Sequence, residues 1–320
     1  MSRLILLAAR LALLSCQTAS SSPARTPSSL LDNHAVTFTS GDGSELSGYL
    51  YKPPGDGPFD TILMIHGCSG MLDRDGSIKP RETAWLEILR AEGYAVLLAD
   101  SFTKRGYGSI CRIRSRPITR SRDRPHDAYG ALRWLQAQPF TQADRIVLMG
   151  WSNGAMSMLW AVKRDAPQRP KNLAHDFRAA IGFYPGCITL RRKNPDYATA
   201  VPVLLQIGLA DDWTKPKPCM ALVDEATDRG SGAKMTYDAY ADAYHGFDHP
   251  DSKPRAITTK HSAYRSGKRT VHVGTNVEAR AQAIANVKAY LRTVFRDKNS
   301  PLSASTAARS LSRSCGDESL

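Results

Sequence analysis

Arg145-Ile146-Val147-Leu148-Met149-Gly150-Trp151-Ser152-Asn153-Gly154-Ala155 runs an apolar segment straight into a serine set between two glycines. The segment reads as a buried strand, and Ala155, Met158, Leu159 and Ala161 continue at helical spacing. Strand, tight turn and helix in that order are what the pattern G-x-S-x-G needs to lift its serine above a sheet. At a usage of ~7% per residue the pattern arises by chance roughly 0.1 times in such a chain. Gly150 and Gly154 let strand and helix approach without Cβ clashes, which leaves Ser152 Oγ at the sheet end. A surface serine in a glycine-rich turn is the plainer alternative.

The rest of the chain suits that centre. It has 320 residues, 42% apolar and 23% charged, with 23 Gly and 19 Pro, which excludes disorder throughout, a collagen-like repeat and a coiled coil. Apolar runs at Ala35–Phe38, Leu46–Tyr51, Thr61–Ile65 and Ala95–Ala99 read as strands. Arg145–Met149, Ala179–Phe183, Val201–Ile207 and Met235–Ala239 complete a set of eight. Arg81–Ala91, Asp127–Gln136 and Val277–Phe295 carry apolar residues at helical spacing. The alternation predicts an α/β fold, one mostly parallel eight-stranded sheet flanked by helices, with its site at the strand carboxyl ends.

The ends are different. Arg3, the apolar stretch Leu4–Leu14 and Ser15-Cys16 resemble a secretory signal or a lipoprotein box that would make Cys16 a lipid anchor. Arg10 counts against both, and a helix of the domain is the alternative. Gln17–Ser29 has a linker's composition and Asn299–Leu320 a tail's. The expected organisation is therefore a leader and linker over 1–32, one domain over 33–298 and a tail over 299–320. No apolar run reaches the ~18 residues of a transmembrane helix.

A serine hydroxyl is a weak nucleophile, so it needs a base, and the base needs an orienting acid. For a serine on this kind of turn the chain order is Ser, then Asp or Glu, then His. Asp211 and Asp212 follow the strand that ends at Gly208, and Asp211 is the preferred acid. His245 lies just past the last strand in Tyr244-His245-Gly246-Phe247-Asp248 and is the candidate base. His126 precedes a helix, as a cap or surface residue would; His34, His175, His249, His261 and His272 lack a strand-end context. A tetrahedral intermediate also needs aimed N–H donors. Asn153 N–H and, from His66-Gly67-Cys68-Ser69-Gly70, Cys68 N–H are the candidates, with His66 a packed strand-end residue.

With these motifs, and with Ala99-Asp100-Ser101-Phe102, Tyr184-Pro185-Gly186-Cys187 and Asp211-Asp212-Trp213-Thr214, the chain resembles the dienelactone hydrolase family of α/β-hydrolases from Leu46 to Phe295. The resemblance implies the α/β-hydrolase fold and hydrolysis through a nucleophile–His–Asp triad, with no metal or organic cofactor. The family's namesake uses a cysteine nucleophile controlled by a strand-end Glu. Here Ser152 holds that place and Ile65-His66-Gly67-Cys68 offers no Glu, which implies a serine carboxylester hydrolase branch. A peptidase on the same fold and a non-catalytic envelope or binding protein are the competing classes. In such a fold the strands before Cys68 and Cys111 are neighbours, as are those before Cys187 and Cys219, so disulfides Cys68–Cys111 and Cys187–Cys219 are expected. No cysteine has the C-x₂₋₄-C partner of a zinc site. An exported protein, periplasmic or secreted, would carry such bridges.

Lys+Arg total 43 against 30 Asp+Glu, a net charge of +13. Eight of the basic residues stand between Lys104 and Arg124, with Asp123 the one acid among them. A second basic stretch is Lys253–Arg269. Both are read as loops rimming the pocket, either a solvated basic face or a positive lip for anionic esters or anionic lipid. Arg105, Trp151 and Trp213 are the candidate substrate contacts. No helix-turn-helix, zinc or RNP pattern accompanies the charge, so nucleic acid is not an expected partner.

Overall fold

A computed structural model describes residues 34–230, 232–261 and 266–296. Eight strands form one sheet in the order β1 (Ala35–Thr39), β2 (Glu45–Tyr51), β4 (Ala95–Asp100), β3 (Phe59–Ile65), β5 (Thr141–Trp151), β6 (Ala179–Phe183), β7 (Val203–Gly208) and β8 (Met235–Tyr240). β1 and β2 form an antiparallel hairpin, β2 is antiparallel to β4, and all pairs from β4 to β8 are parallel. The helices are α1 (Pro80–Ala91), α2 (Asp123–Gln136), α3 (Asn153–Ala161), α4 (Ile188–Lys193), α5 (Lys217–Asp228) and α6 (Val277–Arg296).

The central strands are apolar on both faces because helices cover both. Leu63, Ile65, Leu97, Ile146 and Leu148 pack with α2, α3 and α5 residues such as Leu132, Leu159 and Leu222. Their alternate neighbours Ile62, Met64, Val96, Val147 and Met149 pack against Trp85 of α1 and Val287 and Leu291 of α6. The period of two within each strand thus builds two cores back to back.

Three features depart from the sequence reading. The second basic stretch is no simple loop: β9 (Arg255–His261) and β10 (Ser266–Val273) pair as a separate antiparallel hairpin. Only Val271 of its described side chains is fully buried, so the stretch never showed the apolar alternation of a half-buried strand. The short α4 was not expected, nor was α5, which opens among Lys215-Pro216-Lys217-Pro218. Pro216 caps it and Pro218 lies in its first turn, where a missing N–H costs nothing. Finally, α2 begins at Asp123, which draws Arg124 and His126 into the helix. Among the described residues no helix is long and apolar enough to cross a membrane. The expected leader, Cys16 and the expected tail lie outside the described residues.

Candidate active site

Ser152 sits between β5 and α3 with φ 49° and ψ −110°, a conformation a side-chain-bearing residue adopts only under constraint. The flanking glycines supply the constraint. A Cβ on Gly150 would lie 2.8 Å from the Gly154 carbonyl carbon, and one on Gly154 would lie 2.3 Å from Ile65 O. Ser152 N–H donates to Phe183 O at 2.9 Å, which ties the turn to β6.

His245 and Asp211 converge on this serine. His245 Nε2 is 3.0 Å from Ser152 Oγ, and His245 Nδ1 is 2.8 Å from Asp211 Oδ2. Asp211 is buried; its Oδ1 accepts the N–H groups of Trp213 and Thr214, each at 2.8 Å. Thr214 Oγ1, 2.8 Å from Asp211 Oδ2 and 3.0 Å from His245 Nδ1, packs beside the pair. Asp212 turns the other way: its carboxylate takes Nδ1 and the backbone N–H of His272 in β10, each at 2.8 Å. The two acids that stood open in the sequence are thus separated by the direction of one loop.

Ser152, Asn153 and Cys68 all line a cavity of about 470 Å³, whose walls include Met156, Trp160 and Trp213. A Cβ on Gly67 would lie 3.8 Å from Ser152 Cβ, so the loop after β3 runs alongside the serine turn. Asn153 opens α3, where the first-turn N–H groups have no partner within the helix. Both expected disulfides are formed. Cys68–Cys111 borders the cavity, and Cys187–Cys219 joins the loop after β6 to α5.

Two of the three substrate contacts read from the sequence are corrected. Arg105 holds Asp127 with both terminal nitrogens at 2.8 Å and donates to Ser101 O at 2.9 Å, away from the cavity. Trp151 follows the strand alternation into the α1/α6 core, where its Nε1 donates to Asp248 Oδ2 at 2.7 Å. Trp213 does line the cavity, its ring centroid 4.9 Å from that of His245.

Two buried charges beneath the site were not recognised in the sequence. Arg124, taken there as part of a basic rim, is wholly buried. It donates to His66 O at 2.8 Å and to Asn153 Oδ1 at 2.9 Å. It thereby bridges the loop that carries Cys68 and the helix that starts with Asn153. Burial pushes its guanidinium down to about 10. Asp248 accepts from Trp85 Nε1 at 2.8 Å, Trp151 Nε1, and Tyr184 OH at 2.6 Å, pinning the His245 loop to the end of β5. Its position three residues after His245 was visible in the sequence, but its indole partners come from distant elements. Beside Arg124 lies Asp100. Burial raises its carboxyl; the His66 ring 3.5 Å away, the Thr103 hydroxyl and Phe102 N–H outweigh that and hold it at about 2. Among the described residues no group of three or more His, Cys, Asp or Glu is placed to hold a metal ion.

A doubly covered parallel sheet with Ser, His and Asp converging at its strand ends defines an α/β-hydrolase. The chain belongs to the dienelactone hydrolase family, whose model matches residues 46–295, and it is an enzyme of the carboxylester-hydrolase type. Three solved structures illustrate the shared fold. Thermogutta terrifontis esterase 2 phosphoramylated by tabun is 18% identical, with 85% of this chain and 97% of that one covered and a TM-score of 0.56. The same esterase with propionate bound gives 18% identity, 85% and 96% coverage and a TM-score of 0.55. A dienelactone hydrolase-like promiscuous phosphotriesterase from metagenomic libraries gives 17%, 81% and 97%, and 0.56. No curated protein matches the sequence.

Proposed function

We propose that the protein is a serine carboxylester hydrolase that works through an acyl-enzyme. The observation that carries this reading is the continuous chain Ser152 Oγ, His245 Nε2, His245 Nδ1, Asp211 Oδ2, with links of 3.0 and 2.8 Å. Ser152 Oγ attacks the ester carbonyl carbon as His245 Nε2 takes its proton. Asp211 accepts from Nδ1–H, which fixes the tautomer and stabilises the imidazolium. The N–H groups of Asn153 and Cys68 take the oxyanion, and Arg124 holds the two segments that carry them. Collapse of the tetrahedral intermediate sends the proton from His245 to the leaving alcohol. Water, deprotonated by the same imidazole, then cleaves the acyl-enzyme.

The organophosphate adduct carried by the Thermogutta esterase fits a nucleophile of this kind. Two disulfides fit an oxidising compartment, as export would provide. The decisive test is Ser152→Ala, which should lower kcat for a short p-nitrophenyl ester by on the order of 10⁴ or more. The wild type should be labelled at Ser152 by a fluorophosphonate. Undiminished turnover in the variant would overturn the reading.

A further inference from the structure

Trp151 stands one residue before Ser152, Asp248 stands three after His245, and their side chains meet: Trp151 Nε1 donates to Asp248 Oδ2 at 2.7 Å. Serine and imidazole are thus joined a second time, behind the 3.0 Å contact of His245 Nε2 with Ser152 Oγ. The same carboxylate oxygen accepts Trp85 Nε1 of α1 at 2.8 Å, and Oδ1 accepts Tyr184 OH at 2.6 Å. All four side chains are buried. An indole N–H can only donate, so each buried indole requires an acceptor at a fixed place, and Asp248 is the acceptor for both.

Tyr184 carries the tie to the rest of the triad. Its ring centroid lies 4.5 Å from that of His245, and its carbonyl accepts Thr214 Oγ1 at 2.9 Å. Thr214 in turn is a donor to Asp211. Tyr184 has φ 37°, a conformation that persists only where the surroundings impose it. Its N–H bond to Gln206 O at 2.8 Å and its hydroxyl bond to Asp248 supply that constraint. From the outer side Arg280 Nε of α6 donates to Asp248 O at 3.1 Å, and Asn276 N–H donates to Phe247 O at 3.1 Å. The loop after His245 is therefore gripped from α6 at its backbone and from β5 and α1 at one carboxylate. Asp248 is not among the residues that line the cavity.

We propose that Asp248 is the positioning residue of the base. By holding the residue before the serine and the loop after the histidine on one carboxylate, it sets the gap across which the proton passes. This rests on the reading of Ser152 as nucleophile and His245 as its base. Misplacing reacting groups by an ångström costs on the order of 10²-fold in rate, which is the size of effect expected here.

The test compares ethyl butyrate with 4-nitrophenyl butyrate. Nitrophenolate departs without help, whereas the ethyl ester needs the proton that His245 delivers to its alcohol. Asp248→Ala should lower kcat by on the order of 10²-fold for the ethyl ester and about ten-fold for the nitrophenyl ester, with KM moving less than about three-fold. A mere loss of folded protein would lower both by one factor. Asp248→Asn keeps an oxygen for the indoles and should recover part of the rate. Trp85→Phe and Trp151→Phe each remove one indole donor, but only the second cuts the tie to the serine turn. The Trp151 variant should therefore lose about ten-fold more kcat than the Trp85 variant, and cost less than about two-fold further in the Asp248→Ala background. Should Asp248→Ala not fold, the Phe variants decide alone. Equal losses from both Phe variants, or one common factor for both esters, would refute the proposal. Fluorophosphonate labelling keeps it apart from the reading beneath it. A wild type unlabelled at Ser152 sinks the nucleophile and the positioning role together. A labelled wild type beside an Asp248→Ala variant of undiminished rate on the ethyl ester sinks the positioning role alone.

Discussion

Arg124 and Arg116 belong to one basic stretch and serve two regions of opposite character. Arg124 lies in the floor beneath the serine turn, wholly buried, and its described hydrogen bonds run to His66 O, Asn153 Oδ1 and Ser101 Oγ. Arg116 lies in the cavity wall, half-buried. In the floor a planar fork of five donors joins two segments at fixed geometry, a task a single ammonium cannot duplicate. In the wall the same group meets no carboxylate among the residues that line the cavity. Charge count alone would put both on a rim; burial separates a residue enclosed beneath the site from one that lines the cavity.

That contrast can be probed by removing each part in turn. Arg124→Met should lower kcat by on the order of 10², the size of a lost oxyanion donor, while KM moves less than about three-fold. Arg124→Lys should restore only part of the rate. If KM and kcat shifted together for neutral and anionic esters alike, the floor would be mere scaffolding. Cys111→Ser acts on the wall. Loss of the bridge should lower stability by about 2–4 kcal/mol, read as Tm. An unaltered Tm would show that the bridge contributes nothing to holding the wall.

The mildest effect concerns Asp100, next to Arg124. Its folded carboxyl is held at about 2, below the ~3.9 of an unfolded chain. A depressed value means that the carboxylate stabilises the fold above pH ~4, and that this contribution, about 2–3 kcal/mol, is lost as pH falls through 2. Denaturant titrations of Asp100→Asn and wild type should therefore differ at pH 6 and converge toward pH 2. A constant difference would deny the carboxylate its role.

Much of this architecture could be read from the linear chain, for identifiable reasons. The central strands are buried on both faces, so their apolar runs survive without tertiary context. The serine turn needs glycine on both sides because backbone passes within 2.3 Å of where a Cβ would be. What escaped were elements stabilised by something other than apolar periodicity: the polar hairpin of β9 and β10, and α5 behind its prolines. The substrate contacts Arg105 and Trp151 misled because residue type says nothing of direction. Arg105 meets Asp127, and Trp151 follows the pleat into the core.

Local patterning was thus enough for the doubly covered sheet and the serine turn between its two glycines, since these depend on short-range sterics and on burial averaged over a strand. Folding in three dimensions set Asp211 against His245 and Asp212 against His272, hid Arg124, gave Asp248 its indole partners and placed Arg116 in the wall of the cavity that Ser152 lines. Each of those outcomes depends on where a side chain finds its hydrogen-bond or charge partner, and the partners come from elements far apart along the chain.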